Sequence, residues 1–145
     1  MNKKHKKIIL LSFLFVIIFV LSAFFITSLA RGRTYKCYYY YENINNENYN
    51  VLENYEYFNL TLNRDGTFVI SFATKEYPDL KETIKGNYTK TNKTLSLCFG
   101  ASHPEFIAFD CLEFTRSGTK LLCTQSAPLG TLTVTVFLRF KRVLF

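Results

Sequence analysis

Beyond the first thirty residues the side chains with the most reactive chemistry are four cysteines, Cys37, Cys98, Cys111 and Cys123, and one histidine, His103. Cys111 and Cys123 are symmetric about Ser117, so a hairpin turning there sets them opposite each other as a candidate disulfide. Cys98 and Cys111 are symmetric about the Pro104 loop in the same way, and four cysteines allow three full connectivities, so that pairing stays open. A metal centre from Cys98, His103, Cys111 and Cys123 lacks the Cys-x-x-Cys knuckle that usually supplies two ligands of a zinc tetrahedron. A triad would need Ser102 beside His103 with Asp110 as orienting carboxylate. The string "ASHPEF" carries no nucleophile elbow, and neighbours on an extended chain point to opposite faces. Glu105, Asp110 and Glu113 read more simply as solvent-facing charges than as a glycosidase pair. No catalytic, cofactor-binding or metal-binding residue is assigned, and the chain reads as non-enzymatic.

The second chemical signature is aromatic. "TYKCYYYY", Thr34 to Tyr41, suits an extended strand, and successive strand residues alternate in direction. Tyr38, Tyr39, Tyr40 and Tyr41 therefore cannot all point inward, and those that face out form a candidate interaction surface for a protein, a glycan or membrane headgroups. Asn59, Asn87 and Asn92 each begin an Asn-x-Thr sequon, a pattern that frequent Asn and Thr also produce by chance. Arg64, Asp65 and Gly66 sit between two alternating runs and supply hairpin-turn chemistry. Asn63 and Asp65 offer too few oxygens for a calcium loop.

These residues depend on two kinds of element. Ile8 to Ala30 is a run of 23 residues without charge, Pro or Gly, which as a helix reaches roughly 34 Å against a hydrocarbon core of about 30 Å. Lys3, Lys4, Lys6 and Lys7 precede it, so residues 1–7 are expected in the cytoplasm and residues 31–145 outside. The length favours an uncleaved anchor, while Ser28 and Ala30 permit cleavage after Ala30 and secretion.

Past the anchor the hydrophobic period is two. Strands are expected at 34–41, 56–63, 67–73, 80–90, 94–99, 106–115, 119–125 and 131–141, with 42–50 as an Asn-rich loop and Pro78, Pro104 and Pro128 in loops. Phe58, Leu60 and Leu62 share a side, as do Phe68, Ile70 and Phe72, then Leu95, Leu97 and Phe99, and finally Leu132, Val134, Val136, Leu138 and Phe140. Sequential antiparallel strands with one dry face hide their edges by closing, so the expected architecture is all-β: an eight-stranded antiparallel up-and-down barrel preceded by one transmembrane helix. Such a barrel has room for side chains or for one small ligand, and the many Phe and Leu residues favour filling. A carrier of a small apolar ligand would need an enclosed cavity of at least about 300 Å³.

The motifs Leu60-x-Leu62, Asp65-Gly-Thr-Phe68, Gly86-x-Tyr88 and Leu95-x-Leu97 resemble those of small lipocalin-like β-barrel domains in exported bacterial proteins and lipoproteins. The resemblance covers the middle of the chain and implies a fold rather than a site. The "YKC" of the first strand is also vaguely like membrane-bound lysozyme inhibitors, which brings in an inhibitor of an extracellular hydrolase as an alternative.

The formal charge of +7 belongs partly to the leading lysines, and residues 31–145 carry 14 basic against 11 acidic side chains scattered singly. A nucleic-acid partner, which needs a basic face, is not expected. The expected function is a membrane-anchored or exported, non-catalytic binding module of the cell envelope.

Overall fold

The computed structural model describes residues 16–22, 32–100 and 109–144. The chain divides into two units, Met1–Gly32 and Arg33–Phe145. In the first, residues 16–22 are helical and their side chains exposed. The remainder of the expected 8–30 membrane helix and the 1–7 tip lie outside the described residues. Among the described residues no helix is long and apolar enough to cross a membrane.

Among its described residues the second unit is a single antiparallel sheet of nine strands: β1 (Arg33–Ile44), β2 (Glu47–Asn50), β3 (Tyr55–Leu62), β4 (Thr67–Thr74), β5 (Glu82–Lys90), β6 (Thr94–Cys98), β7 (Cys111–Ser117), β8 (Lys120–Leu129) and β9 (Leu132–Arg142). Each strand from β3 onward pairs with the next, and β9 returns to β1, so eight strands close an up-and-down barrel. Closure pairs most of the strand edges that would otherwise template association with other chains.

The ninth strand comes from the segment expected to be a loop. Asn45 and Asn46 both adopt positive φ, 50° and 69°, the backbone of a two-residue type I′ hairpin that Asn tolerates better than most residues. The turn folds β2 back on the upper half of β1, Tyr41 facing Asn50. A 3-10 turn, Val51–Asn54, then separates β2 from β3, which takes over the lower half of β1 from Lys36 to Arg33.

Other differences follow from turn placement. β8 runs on to Leu129, so Pro128 is in a strand, opposite Thr133. The hairpin loop is Gly130–Thr131, flanked by the Leu129–Leu132 pair. In a two-residue hairpin the flanking pair exchanges hydrogen bonds and the next pair does not, so the Pro128 nitrogen faces away from β9 and its missing N–H costs no bond there. The upper part of β8 also leaves β7, whose ladder with it covers only Thr115 to Ser117. The Gln125 side chain fills the split: its Oε1 accepts from the Glu113 N–H at 2.7 Å and its Nε2 donates to the Cys111 carbonyl at 3.2 Å.

The core sits inside the barrel, and the inward sets expected on β3, β4 and β6 are all buried. So are Val134, Val136, Leu138 and Phe140 of β9, while Leu132 lies exposed beside the hairpin tip. Phe58, Phe114 and Phe140 meet through ring centroids 6.0 and 5.8 Å apart, and each such buried side chain contributes roughly 1.5–3 kcal/mol. Gly86 makes room for β6 and the Phe68 ring. A Cβ there would lie 2.3 Å from the Cys98 carbonyl oxygen and 2.6 Å from the Phe68 ring.

The "RDG" turn is structural. Arg64, Asp65 and Gly66 form a three-residue loop with Gly66 at φ 85°, the left-handed position that Gly occupies without penalty. Asp65 Oδ1 accepts from the Thr67 N–H at 2.9 Å and the Thr67 hydroxyl at 2.6 Å, and these bonds hold its carboxyl below the usual carboxylate range. Tyr88 clamps the turn, donating its N–H to the Gly66 carbonyl at 2.7 Å and its hydroxyl to the Asn63 carbonyl at 2.6 Å.

Candidate functional site

The chemistry of β1 is decided by one extra residue. Against β9 the ladder steps from Cys37↔Phe140 to Tyr39↔Arg139, so Tyr38 is a β-bulge. An extra residue reverses the alternation that follows it. Tyr35 and Cys37 point inward before the bulge, and Tyr40, Glu42 and Ile44 point inward after it. Tyr38, Tyr39 and Tyr41 are left on the outer wall. Of the four tyrosines expected as a surface, Tyr40 is thus corrected to a core residue, 5% exposed.

On the outer wall these side chains order one another. Tyr39 and Tyr41 stack with centroids 4.4 Å apart, and the Arg139 guanidinium lies 4.5 Å from the centre of the Tyr39 ring. Register extends the patch across two further strands, Tyr39 beside Arg139 and then Leu122, Tyr41 beside Phe137 and then Thr124. Leu122 and Phe137 are half-buried, while Tyr38 is 43% exposed. The wall therefore presents aromatic rings and a guanidinium held by stacking, a contact worth about 0.5–1 kcal/mol at an exposed site.

On the inner side the same strand lines a cavity of about 140 Å³. Its walls are apolar, including Phe58, Phe114, Val134, Leu138 and Phe140, apart from Tyr40 and Glu42. The Tyr40 hydroxyl donates to Glu42 Oε1 at 2.8 Å. Burial first, and then the Glu42 charge, push the Tyr40 phenol well above its ordinary value. Burial and Glu42 also raise Tyr55. Both phenols therefore stay protonated near neutral pH, and Tyr40 serves as a donor. Glu42 was not legible as a site residue: without the bulge, alternation assigns it to the outer face, and its place among Asn residues reads as loop.

The cysteines divide between the two faces. Cys98 and Cys111 are opposite each other in the β6–β7 ladder, with Cα atoms 4.1 Å apart, and form a disulfide. The expected Cys111–Cys123 pair is corrected. The β7–β8 turn is centred on Gly118 and Thr119, which places Ser117 rather than Phe114 opposite Lys120. A register displaced by an odd number of residues changes faces, so Cys111 is on the outer side while Cys123 is buried inside. Cys37 and Cys123 are free thiols whose pKa values are pushed up by burial to about 11 and about 12. Both are protonated and poor nucleophiles near neutral pH.

With Cys98 and Cys111 bonded together and Cys123 on the opposite face, the three cysteines of the expected metal set do not converge; Ser102, His103, Pro104 and Glu105 lie outside the described residues. Glu113 accepts a short hydrogen bond from the Ser96 hydroxyl on the outer wall, where Asn59 is half-buried and Asn87 exposed; Asn92 is exposed in the β5–β6 turn.

The fold and site define a closed eight-stranded antiparallel barrel with an aromatic outer wall and a small apolar cavity. Comparison with family models, curated proteins and solved structures gives no match.

Proposed function

We propose that this chain is an exported, membrane-anchored, non-catalytic binding module of the cell envelope, lipocalin-like in design, that engages a protein partner through the outer wall of β1 and β9. The observation that carries this reading is the Tyr38 bulge, which places Tyr38, Tyr39 and Tyr41 together on the outside beside Arg139. Tyr and Arg are over-represented among residues that dominate interface energies, and stacked rings lose little entropy on binding. Export is supported by the apolar run Ile8–Ala30 behind its lysines and by the Cys98–Cys111 disulfide, a bond that persists in oxidising compartments.

Affinity capture of the full chain from detergent-solubilised cells tests the reading, comparing the native sequence with Tyr39→Ser/Arg139→Ala. A partner retained by the native chain and lost by the folded double variant is the expected result. A partner retained equally by both places the binding elsewhere and overturns it.

A further inference from the structure

Independently of the outer wall, we propose that the mouth of the barrel is a binding site for a small amphipathic cation, its ammonium on Glu42 and its apolar body in the cavity behind. Size sets the first bound. A cavity of about 140 Å³ is well below the roughly 300 Å³ of ordinary drug-sized sites. It is close to the roughly 150 Å³ that admits a benzene-sized guest. A long acyl chain or a polycyclic ligand does not fit.

Charge sets the second bound. Glu42 is the one charged side chain among the lining residues. Among the described residues its Oε1 accepts from the Tyr40 hydroxyl and the carboxylate has no cationic partner. An ionised carboxylate offers about four acceptor positions, so the group retains most of its capacity. Glu42 is half-buried at the edge of the apolar lining, where a ligand ammonium would meet it with a charge-assisted hydrogen bond. Tyr40 and Phe58, with centroids 5.8 Å apart, add aromatic surface that favours a cation. A divalent metal is disfavoured by the donor set, since one carboxylate and one protonated phenol fall short of the six or more oxygens calcium takes. An anionic guest would meet the Glu42 charge.

Titration calorimetry on the full chain in detergent distinguishes the possibilities, using benzylammonium, benzyl alcohol and benzoate as cationic, neutral and anionic probes of one size. The native chain should bind benzylammonium in preference to the other two. Glu42→Gln should weaken benzylammonium at least about tenfold, the loss of one charge-assisted contact, and leave benzyl alcohol unchanged. Val134→Phe, which fills the cavity without touching the carboxylate, should abolish binding of every probe in a protein whose thermal unfolding shows it to be folded. Equal binding of benzylammonium and benzyl alcohol, preference for benzoate, or no binding above that of empty micelles overturns the proposal. So does a folded Val134→Phe variant that binds as the native chain does.

Discussion

Replacing Gly86 by alanine should destabilise the barrel by about 3 kcal/mol, the upper end of ordinary overpacking costs, although alanine normally stabilises an element interior relative to glycine by roughly 0.5–1 kcal/mol. The reversal of sign comes from the surroundings. The new Cβ would lie 2.3 Å from the Cys98 carbonyl oxygen and 2.6 and 2.8 Å from two carbons of the Phe68 ring. Carbon and carbonyl oxygen ordinarily approach to about 3.3 Å, so the β5–β6 ladder would have to open by roughly an ångström. Neither neighbour yields easily. Cys98 is tied to Cys111, and Phe68 is fully buried with its ring edge-on to Phe99 at 5.6 Å. At roughly 4 °C per kcal/mol for a domain of this size, Tm should fall by about 12 °C. Urea unfolding of Gly86→Ala followed by far-ultraviolet circular dichroism measures the free energy, and Gly86→Ala/Phe68→Leu should recover part of it by removing the ring contacts but not the carbonyl contact. A single variant as stable as the native chain, or more so, would refute the close approach of β5, β6 and Phe68.

Alkylation in denaturant without reductant should label Cys37 and Cys123 only, and peptide mapping should recover Cys98 linked to Cys111; a Cys111–Cys123 peptide would refute the β7–β8 register. With 13 residues of sequence separation in the closed loop, replacing both bonded cysteines by alanine should cost about 3 kcal/mol in the same unfolding assay. Stability should also decline at alkaline pH. Burial raises the Cys37 thiol from 9.0 to about 11, so the native state holds its proton longer than the unfolded chain; the contribution is complete below pH 9 and lost as pH rises to about 11. A shift of this size corresponds to roughly 2–3 kcal/mol, and Cys37→Ala should flatten the decline between these limits; an unchanged slope would contradict the burial.

The parts of this architecture that repeat were readable from residue types. Alternation of Phe, Leu and Ile on β3, β4 and β6 follows from strand geometry alone, and Asp65-Gly66 marked its turn because few residues accept positive φ. The parts that break the repeat were not. A bulge at Tyr38 has no composition of its own in a run of four tyrosines; its cause lies in the pairing of β1 with β9. That one residue decides that Tyr40 and Glu42 face the cavity. The disulfide depended likewise on whether a turn was centred on Ser117 or between Gly118 and Thr119, which displaces the register by three residues and changes both partner and face. Asn45-Asn46 is the turn signal for β2, hidden within a polar stretch that composition alone marks as a loop. Gly86 could be recognised as a motif residue, but the carbonyl and ring that exclude a side chain there come from β6 and β4.

The central claim, that the outer wall of β1 and β9 is the binding surface, is tested most directly by photo-crosslinking in intact cells. A photoreactive phenylalanine analogue replaces Tyr38 on the bulge in one variant and Thr89, exposed on β5, in another. A discrete protein adduct from position 38 that disappears with Arg139→Ala, and none from position 89, is the expected result. Adducts from position 89 alone, or the same adducts from both positions, would contradict it.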